Sequence, residues 1–312
     1  MSPKFKTLTP ENVSFGITPT LWWNDDFINI DIGIPFEQAI SEMALAGFVG
    51  CSVGHKYPTD PAVLKAALDL RGLNVSEPWV STYFTINATK EQTVRKVRQQ
   101  LEFMAAMEKG NVGKRKADLV VAEFGRAVNP LPLALIANCP TFDDREWGLL
   151  VDGLHEIGKL AKDQGRRLCY HPHLGTGVMY AEAVDRLMAA TDPELVHLLV
   201  DTGHLAAVHS DPLAVVQKHA PRIRHMHLKD IRAAAVERLH KEGMSFEQGI
   251  QAGIFTVAGD GDIKTFPEMF AAIGDAGFDG WLIIEAEQNP AKANPLHYAK
   301  LGRAYLRETL GW

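Results

Sequence analysis

The chain has 312 residues, of which 46% are hydrophobic and 22% charged, a balance typical of a soluble globular protein with one large core. Its formal net charge of -6 disfavours a nucleic acid or an anionic membrane surface as a partner. No stretch approaches the roughly 18 consecutive apolar residues of a membrane span, and the first residues lack the apolar segment of a secretory leader. These features predict a cytoplasmic protein that binds neither nucleic acid nor membrane.

Short apolar segments alternate with longer segments of helical period along the whole chain. Alternation of this kind is typical of β/α units arranged around a parallel sheet. The predicted strands are Val13–Thr18, Val49–Val53, Asn74–Val80, Leu119–Ala122, Arg167–Tyr170, Val196–Val200, Ile223–Leu228 and Trp281–Ile284.

The segments between the strands carry the start and stop signals of helices. Asp143 is followed three residues later by Glu146, which is a capping-box pattern, and Gly165 ends that helix. Pro35 and Gly47 bracket the first helix in the same way. The predicted helices are Pro35–Ala46, Asp60–Leu70, Lys90–Lys109, Asp143–Gln164, Tyr180–Ala190, Asp211–His219, Ile263–Ala276 and Pro295–Thr309.

This order of elements predicts a single (β/α)₈ TIM barrel over residues 1–312. Residues 231–262 are long for one connection, so we expect a lid insertion there with a short helix over Ser245–Ala252. A doubly wound open sheet is the alternative fold. The absence of a G-x-G-x-x-G motif after the first strand weakens its nucleotide-binding version.

Histidines and carboxylates end consecutive predicted strands, at the end of a barrel where active sites lie. Such groups are costly to bring together unless a cation joins them. Alternate residues of a strand share a face, which narrows the choice of inward-pointing side chains. The predicted metal ligands are His171, Asp201, His227 and Glu285. Two imidazoles and two carboxylates suit Mn²⁺, Co²⁺ or Zn²⁺ better than Ca²⁺.

Other polar residues at the strand ends are candidates for acid–base chemistry or for substrate binding. The acid–base candidates are Glu123, His173, His204 and Lys229. The predicted substrate contacts are Trp22, Asn24, Lys56, Tyr57, Arg126 and His225. Lys229 has a second interpretation as a solvent-exposed loop lysine, and His225 as a hydrogen-bond partner behind a metal ligand. Arg126 could instead neutralise Glu123, and Glu287 is interpreted as part of a loop salt bridge.

Four motifs, HPHLGTG, VDTGHL, HMHLKD and GWLIIEAEQNPAKANP, resemble the sugar isomerase/epimerase barrels related to xylose isomerase and endonuclease IV. WWNDD, GHKYPTDPAVLK and FTVAGDGDI extend the resemblance almost end to end and make the chain most similar to the inosose dehydratase family. The resemblance implies one Mn²⁺ or Co²⁺ ion, with Zn²⁺ or Mg²⁺ as alternatives, and a requirement for glutathione. It also implies dehydration of a small keto-polyol, 2-keto-myo-inositol (scyllo-inosose), and association of barrels into a homo-oligomer.

Two positions depart from the family pattern where the substrate is expected. Ser52 stands where the family commonly has a glutamate in a G-x-E-x-G context. After the fourth strand the family has a polar Glu-Gln-Ser-Gly stretch, and this chain has Glu123-Phe124-Gly125-Arg126.

The candidate residues predict chemistry through an enolate. A metal-held ketone would lose the adjacent proton to His173 or Glu123, and the enolate would expel a hydroxyl group with His204 or Lys229 as the acid. Reprotonation of the same enolate would make the enzyme an epimerase or isomerase, and a 3-keto-glycoside would instead lose its aglycone. Endonuclease activity requires more metal ligands and a basic mouth, and a simple binding barrel would not need this ligand set.

Overall fold

Parallel strands follow one another around a ring in the computed structural model, which describes residues 7–312. The strands are β1 (Val13–Ile17), β2 (Gly50–Ser52), β3 (Asn74–Glu77), β4 (Trp79–Thr82), β5 (Leu119–Glu123), β6 (Leu168–Tyr170), β7 (His197–Asp201), β8 (Ile223–Ile231), β9 (Phe255–Val257) and β10 (Gly280–Ile284). Their order is β3-β2-β1-β10-β8-β7-β6-β5-β4, and β9 pairs with β8 outside the ring. The predicted TIM barrel is confirmed, and each predicted strand overlaps a barrel strand.

The ring closes through a strand that is broken at Pro78. β3 pairs with β2 and β4 pairs with β5, so the two halves together form one barrel strand. Proline has no N–H to donate to a sheet. The carbonyl oxygens of Ser76 and Pro78 accept bonds from the Asp118 and Val120 amides, at 3.0 and 3.3 Å, which joins the break to β5. The sequence predicted one continuous strand here.

Helices cover the outside of the ring at the predicted places. They are α1 (Phe36–Ala46), α2 (Pro61–Asp69), α3 (Lys90–Glu108), α4 (Asp144–Asp163), α5 (Ala181–Ala190), α6 (Thr202–Ala207), α7 (Pro212–His219), α8 (Ala233–Glu242), α9 (Phe246–Ala252), α10 (Phe266–Asp275) and α11 (Pro295–Leu310). Asp143 and Glu146 form the predicted capping box at the start of α4, with bonds of 2.8 and 2.9 Å. Two helices were not predicted: α6, which begins directly after β7, and α8.

Apolar side chains fill the layer between strands and helices, and the barrel interior holds apolar side chains together with buried polar ones. Val120, Cys169 and Leu199 form a fully buried cluster of strand side chains. The barrel is therefore a packed core below its mouth, as expected for this fold. Among the described residues, no helix combines the length and the apolar character that crossing a bilayer requires.

The segment between β8 and α10 is held at its base by the Asp230 carboxylate. Asp230 Oδ1 accepts from the amides of Ile231 and Ile263, both at 2.8 Å. Its Oδ2 accepts from Gly259 at 3.2 Å and from Gly261 at 3.0 Å. The Gly-Asp-Gly-Asp motif is thus a turn wrapped around a buried carboxylate, which explains its glycines.

The helices of this segment reach the loop that follows β1. Asn29 donates from Nδ2 to Glu247 Oε1 at 2.6 Å, and the rings of Phe27 and Phe246 lie 5.9 Å apart. The two segments thereby meet above the barrel, and the predicted role of residues 231–262 as a lid stays a prediction.

Replacing Asp230 with alanine should lower the free energy of unfolding by about 2–4 kcal/mol, because four backbone donors lose their acceptor. Urea denaturation followed by circular dichroism measures the change. Asp163→Asn, on the exposed end of α4, is the control and should stay within about 0.5 kcal/mol of wild type. Equal stability of Asp230→Ala and wild type would show that the carboxylate does not hold this segment.

Candidate metal centre

The four predicted ligands come together at the carboxyl ends of the strands. One ligand atom from each of His171, Asp201, His227 and Glu285 lies within 4.8 Å of the others, and all four residues are buried. Asp201 Oδ2 is 3.6 Å from His171 Nε2 and 3.8 Å from His227 Nδ1. His227 Nδ1 also contacts Glu285 Oε2. The residues come from the ends of four neighbouring strands, which is why regular spacing in the sequence could locate them.

The unused atoms of these side chains fit a divalent cation. Asp201 Oδ2, His227 Nδ1 and Glu285 Oε2 are buried without a hydrogen-bond partner of good geometry among the described residues. His171 Nδ1 is hydrogen-bonded to a backbone carbonyl oxygen at 2.7 Å, and His227 Nε2 is hydrogen-bonded to Glu77 Oε1 at 3.0 Å. The remaining nitrogen of each ring faces the space between the carboxylates, where it would offer its lone pair to a bound cation. Two imidazole nitrogens and two carboxylate oxygens suit a first-row divalent metal.

Lys229 lies inside this cluster, so its interpretation as an exposed loop lysine is wrong. It is fully buried in β8, with Nζ 2.9 Å from Asp201 Oδ2, 2.7 Å from Glu287 Oε2 and 3.6 Å from Glu285 Oε2. Burial alone would lower the pKa of Lys229, but these three carboxylates raise it, so the ammonium keeps its charge. Three carboxylates face this one ammonium, and a divalent cation beside Asp201 and Glu285 would bring them further positive charge.

His173 and His204 meet edge to face beside the predicted ligands, but they have different surroundings. Their ring centres are 4.3 Å apart, and that of His173 is 5.2 Å from His171. His173 lines the cavity described below, and burial together with the neighbouring His204 and His171 holds its pKa well below the usual range. His204 lies outside the lining, where its Nε2 accepts from Lys229 Nζ at 2.9 Å. A side chain at Gly203 would come within 2.5 Å of Lys229, so only glycine lets α6 begin here.

A cavity of about 230 Å³ opens above the cluster. This is below the roughly 300–1,000 Å³ of pockets that hold drug-sized ligands, so it suits a small molecule. Its lining consists of Thr18, Pro19, Thr20, Asn24, Asp25, Asp26, Ser52, Val53, His55, Glu77, Trp79, His171, His173, His227, Glu285 and Glu287. Glu287 belongs to this wall, where it meets Lys229 and His204, and does not form the loop salt bridge that the sequence suggested.

Trp79 forms the apolar side of the cavity. Its ring centre lies 5.5 Å from that of His171, 5.6 Å from that of His173 and 5.8 Å from that of Phe124. The indole thus packs on a predicted metal ligand and on a predicted base. Sequence reasoning did not select Trp79, although it directly follows the Pro78 break.

The loop after β1 supplies a carboxyl group with an unusual pKa, Asp26. Its side chain is exposed to the cavity, but the surrounding protein atoms limit the hydration of its carboxyl group, and this loss of hydration is the largest cause that raises its pKa to about 7. Glu287 and Asp25 add to the rise, while His204 and Lys229 oppose it. The sequence placed Asp26 only within the WWNDD motif, and no local signal marked it as titratable near neutral pH.

Asn24, in the same motif and a predicted substrate contact, lines the cavity. Its Oδ1 accepts from the amides of Asp26 and Phe27, both at 2.8 Å, which shapes the loop. Its Nδ2 is buried without a hydrogen-bond partner among the described residues, so it is free to donate to a ligand.

Sequence reasoning also missed Glu77, a buried carboxylate at the end of β3. It pairs in register with Ser52 on β2, and both line the cavity, so a carboxylate arrives next to the position where Ser52 departs from the family pattern. Glu77 bonds to His227 Nε2 and contacts His225 Nε2, and His225 Nδ1 lies 3.0 Å from Asp118. The signal that could have revealed Glu77 is an acidic residue within a strand predicted to be buried.

His225 is therefore not placed as a substrate contact. It is fully buried, lies outside the cavity lining, and has a carboxylate at each ring nitrogen, so the second interpretation, a partner behind a ligand, agrees with the structure. Burial alone would lower the pKa of His225, but Glu77 and Asp118 raise it.

Glu123 cannot act as the predicted base, because its carboxylate is saturated with donors. Oε2 accepts from the Thr82 hydroxyl at 2.7 Å and the Phe84 amide at 3.0 Å. Oε1 accepts from the Thr85 amide and hydroxyl and from the Gly125 amide, at 3.1, 2.8 and 3.2 Å. The side chain is fully buried and lies outside the cavity lining. Its role is to join the loops after β4 and β5.

Arg126 neither contacts the cavity nor neutralises Glu123. Its guanidinium donates to Glu146 Oε2 at 2.7 Å and to the Thr141 carbonyl at 2.8 Å. Its φ of 60° is a left-handed conformation, which is uncommon for a residue other than glycine.

Three other predicted substrate contacts also lie outside the lining. Trp22 is buried and donates to Glu42 at 2.6 Å. Lys56 pairs with Asp31 at 2.5 Å, and Tyr57 is buried in the core beside α1. The cavity wall beside β2 is formed instead by Ser52, Val53 and His55.

Comparisons with known proteins identify the family to which this barrel belongs. A family model described as a xylose isomerase-like TIM barrel matches residues 38–309. Inosose dehydratase of Geobacillus thermodenitrificans is 46% identical over 300 residues, which cover 96% of this chain and 98% of that protein. The chain belongs to the inosose dehydratase family. The Clostridium beijerinckii member is 43% identical over 306 residues, covering 98% and 100% of the two chains. The resemblance seen in the motifs is confirmed, and membership of the inosose dehydratases makes this chain a hydro-lyase.

Solved structures share the fold at much lower sequence identity. The probable 3-DHS dehydratase AsbF of Bacillus anthracis has a TM-score of 0.66 at 14% identity, covering 94% of this chain and 98% of that one. D-allulose 3-epimerase of Methylomonas sp. has a TM-score of 0.64 at 14% identity, covering 96% and 99%. At these identities the likeness shows the barrel alone.

Replacing Asp201 with alanine should abolish tight binding of a divalent metal, because it removes the carboxylate that faces both ligand histidines. Metal content after loading with Mn²⁺ and gel filtration measures this, with one equivalent expected for wild type. Asp185→Ala, on the outer face of α5, is the control and should keep the ion. An Asp201→Ala protein that kept one equivalent would show that the ligands are wrongly assigned.

Proposed function

We propose that this chain is a metal-dependent dehydratase of scyllo-inosose or a closely related cyclic keto-polyol. The observation that supports it most is the convergence of two buried imidazoles and two buried carboxylates below a cavity of about 230 Å³. The inosose dehydratases, similar over almost the whole length, supply the substrate class by their names. A ring bearing many hydroxyl groups matches a wall of carboxylates, imidazoles and an unpartnered amide.

His171, Asp201, His227 and Glu285 would hold the cation. When bound, it supplies Lewis-acid stabilisation of negative charge on a substrate oxygen. We propose Mn²⁺ or Co²⁺ as this cation.

His173 is the proposed base that takes the proton from the carbon next to the ketone. It lines the cavity, and its Nδ1 lies 3.0 Å from a backbone carbonyl, so Nε2 is the nitrogen with a free lone pair. The pair of electrons left by that proton forms the new double bond as a hydroxyl group departs from the next carbon.

Asp26 is the proposed acid that protonates the departing hydroxyl group, which leaves as water. It replaces the predicted acids His204 and Lys229, because these lie outside the cavity lining and bond to one another. Lys229 instead holds Asp201 and Glu287 in place and offsets part of their charge. The unsaturated product then tautomerises to the diketone.

Protein reloaded with Mn²⁺ and given scyllo-inosose should produce the ultraviolet absorbance of a conjugated enol or diketone. Chelated protein and Glu285→Gln should give none, because both lack the complete metal centre. If no absorbance arises but solvent deuterium enters other ketoses, the enzyme is an epimerase or isomerase. Absence of both signals from metal-loaded protein would refute the enolate chemistry.

The role of Asp26 predicts a decline of kcat as pH rises through about 7, because only the protonated carboxyl group can donate. Asp26→Asn should lose about 10²–10⁴-fold in kcat, and its residual activity should lack this ionisation.

Asp25→Asn is the matched comparison, because the Asp25 charge raises the pKa of Asp26. Its removal should move the alkaline decline to lower pH. An Asp26→Asn enzyme with the wild-type pH profile would exclude Asp26 as the acid.

A further inference from the structure

Alternating acidic and basic side chains run from the metal centre down the barrel. His227 Nε2 lies 3.0 Å from Glu77 Oε1, and Glu77 Oε2 contacts His225 Nε2. His225 Nδ1 lies 3.0 Å from Asp118 Oδ2, and Arg167 donates to both Asp118 oxygens at 2.7 and 3.1 Å. The line thus ends on a guanidinium at the opposite end of the barrel.

Burial makes this line costly unless every member has its partners. Glu77 is 3% exposed, His225 is fully buried, and Asp118 is 1% exposed. A carboxylate so removed from water costs several kcal/mol when left unpaired. Each carboxylate here meets two basic groups, so its position is fixed from both sides.

The break in the third barrel strand brings Glu77 to this place. The pairing of β2 with β3 shifts register between Cys51 and Ser52, which aligns Ser52 with Glu77. Both side chains then line the cavity at the same level.

We propose that Glu77 is a positioning residue for the metal centre, which it serves by accepting the Nε2–H of His227. This bond keeps the Nδ1 lone pair of His227 directed between Asp201 and Glu285. Carboxylates that hold the far nitrogen of a ligand histidine act in this way in many metal sites. Asp118 and His225 in turn hold Glu77 in place. This inference rests on the proposed metal-dependent function.

The test compares Glu77→Leu and Glu77→Gln with Glu123→Gln. Glu123 is equally buried and hydrogen-bonded but lies outside the cavity, so it controls for the loss of any interior carboxylate. Thermal melting first establishes that each variant is folded. Calorimetric titration of the metal-free proteins with Mn²⁺ then gives affinity and stoichiometry, and the visible spectrum of the Co²⁺-loaded proteins reports the ligand geometry.

We expect Glu77→Leu to bind Mn²⁺ about 10- to 100-fold more weakly than wild type. Glu77→Gln should recover part of this loss, because its amide oxygen can still accept from His227. The Co²⁺ spectrum should change in both Glu77 variants. Glu123→Gln should keep the wild-type affinity and spectrum.

Different failures separate the two proposals. A wild-type protein without bound metal would refute the proposed function itself. One equivalent in wild type, with unchanged affinity and spectrum in both Glu77 variants, would refute only the positioning role. An equal loss of Mn²⁺ affinity in Glu123→Gln would also refute the positioning role. Two equivalents of Mn²⁺ in wild type and one in the Glu77 variants would refute it as well, because Glu77 would then be a metal ligand.

Discussion

The carboxylates at the barrel mouth share a single ammonium group, and the rest of the site depends on that imbalance. Asp201, Glu285 and Glu287 are buried around Lys229, which offsets one of their charges. Buried like charges are unstable unless they are paired, so a cation bound beside these carboxylates would be favoured. One ring nitrogen of each predicted ligand histidine, His171 Nδ1 and His227 Nε2, bonds to a protein acceptor. The other nitrogen of each ring faces the place where that cation would lie. One electrostatic constraint therefore links the stability of the fold to the candidate metal centre.

Strand β8 connects the levels of the barrel, because its inward residues alternate along the strand. His225 takes part in the buried line to Arg167, His227 faces the candidate metal centre, and Lys229 supplies the counter-charge. Asp230 points the other way and fastens the following segment through four backbone amides. A change in the register of this strand would disturb the metal centre, its support and the loops above it together.

Residues that line the cavity have different surroundings from residues that only support its wall. Glu123 and Asp26 are both carboxyl groups near the mouth, but the donors around Glu123 occupy its oxygens while Asp26 remains open to the cavity. Their different surroundings give one a structural role and the other a pKa near neutrality. Membership of the inosose dehydratases agrees with a wall of this composition, in which Ser52 is accompanied by the Glu77 carboxylate.

The sequence by itself determined the barrel and the grouping of His171, Asp201, His227 and Glu285, because the strand–helix alternation and the two-residue period of strands are local patterns. It could not determine that Lys229 is buried, that Glu123 is saturated, or that Asp26 and Glu77 enter the site. Those outcomes depend on the break at Pro78, the register shift beside Ser52 and contacts between loops distant in sequence. Only the tertiary structure decides them, since the charge, exposure and partners of a polar side chain are set by residues that local sequence patterns do not specify.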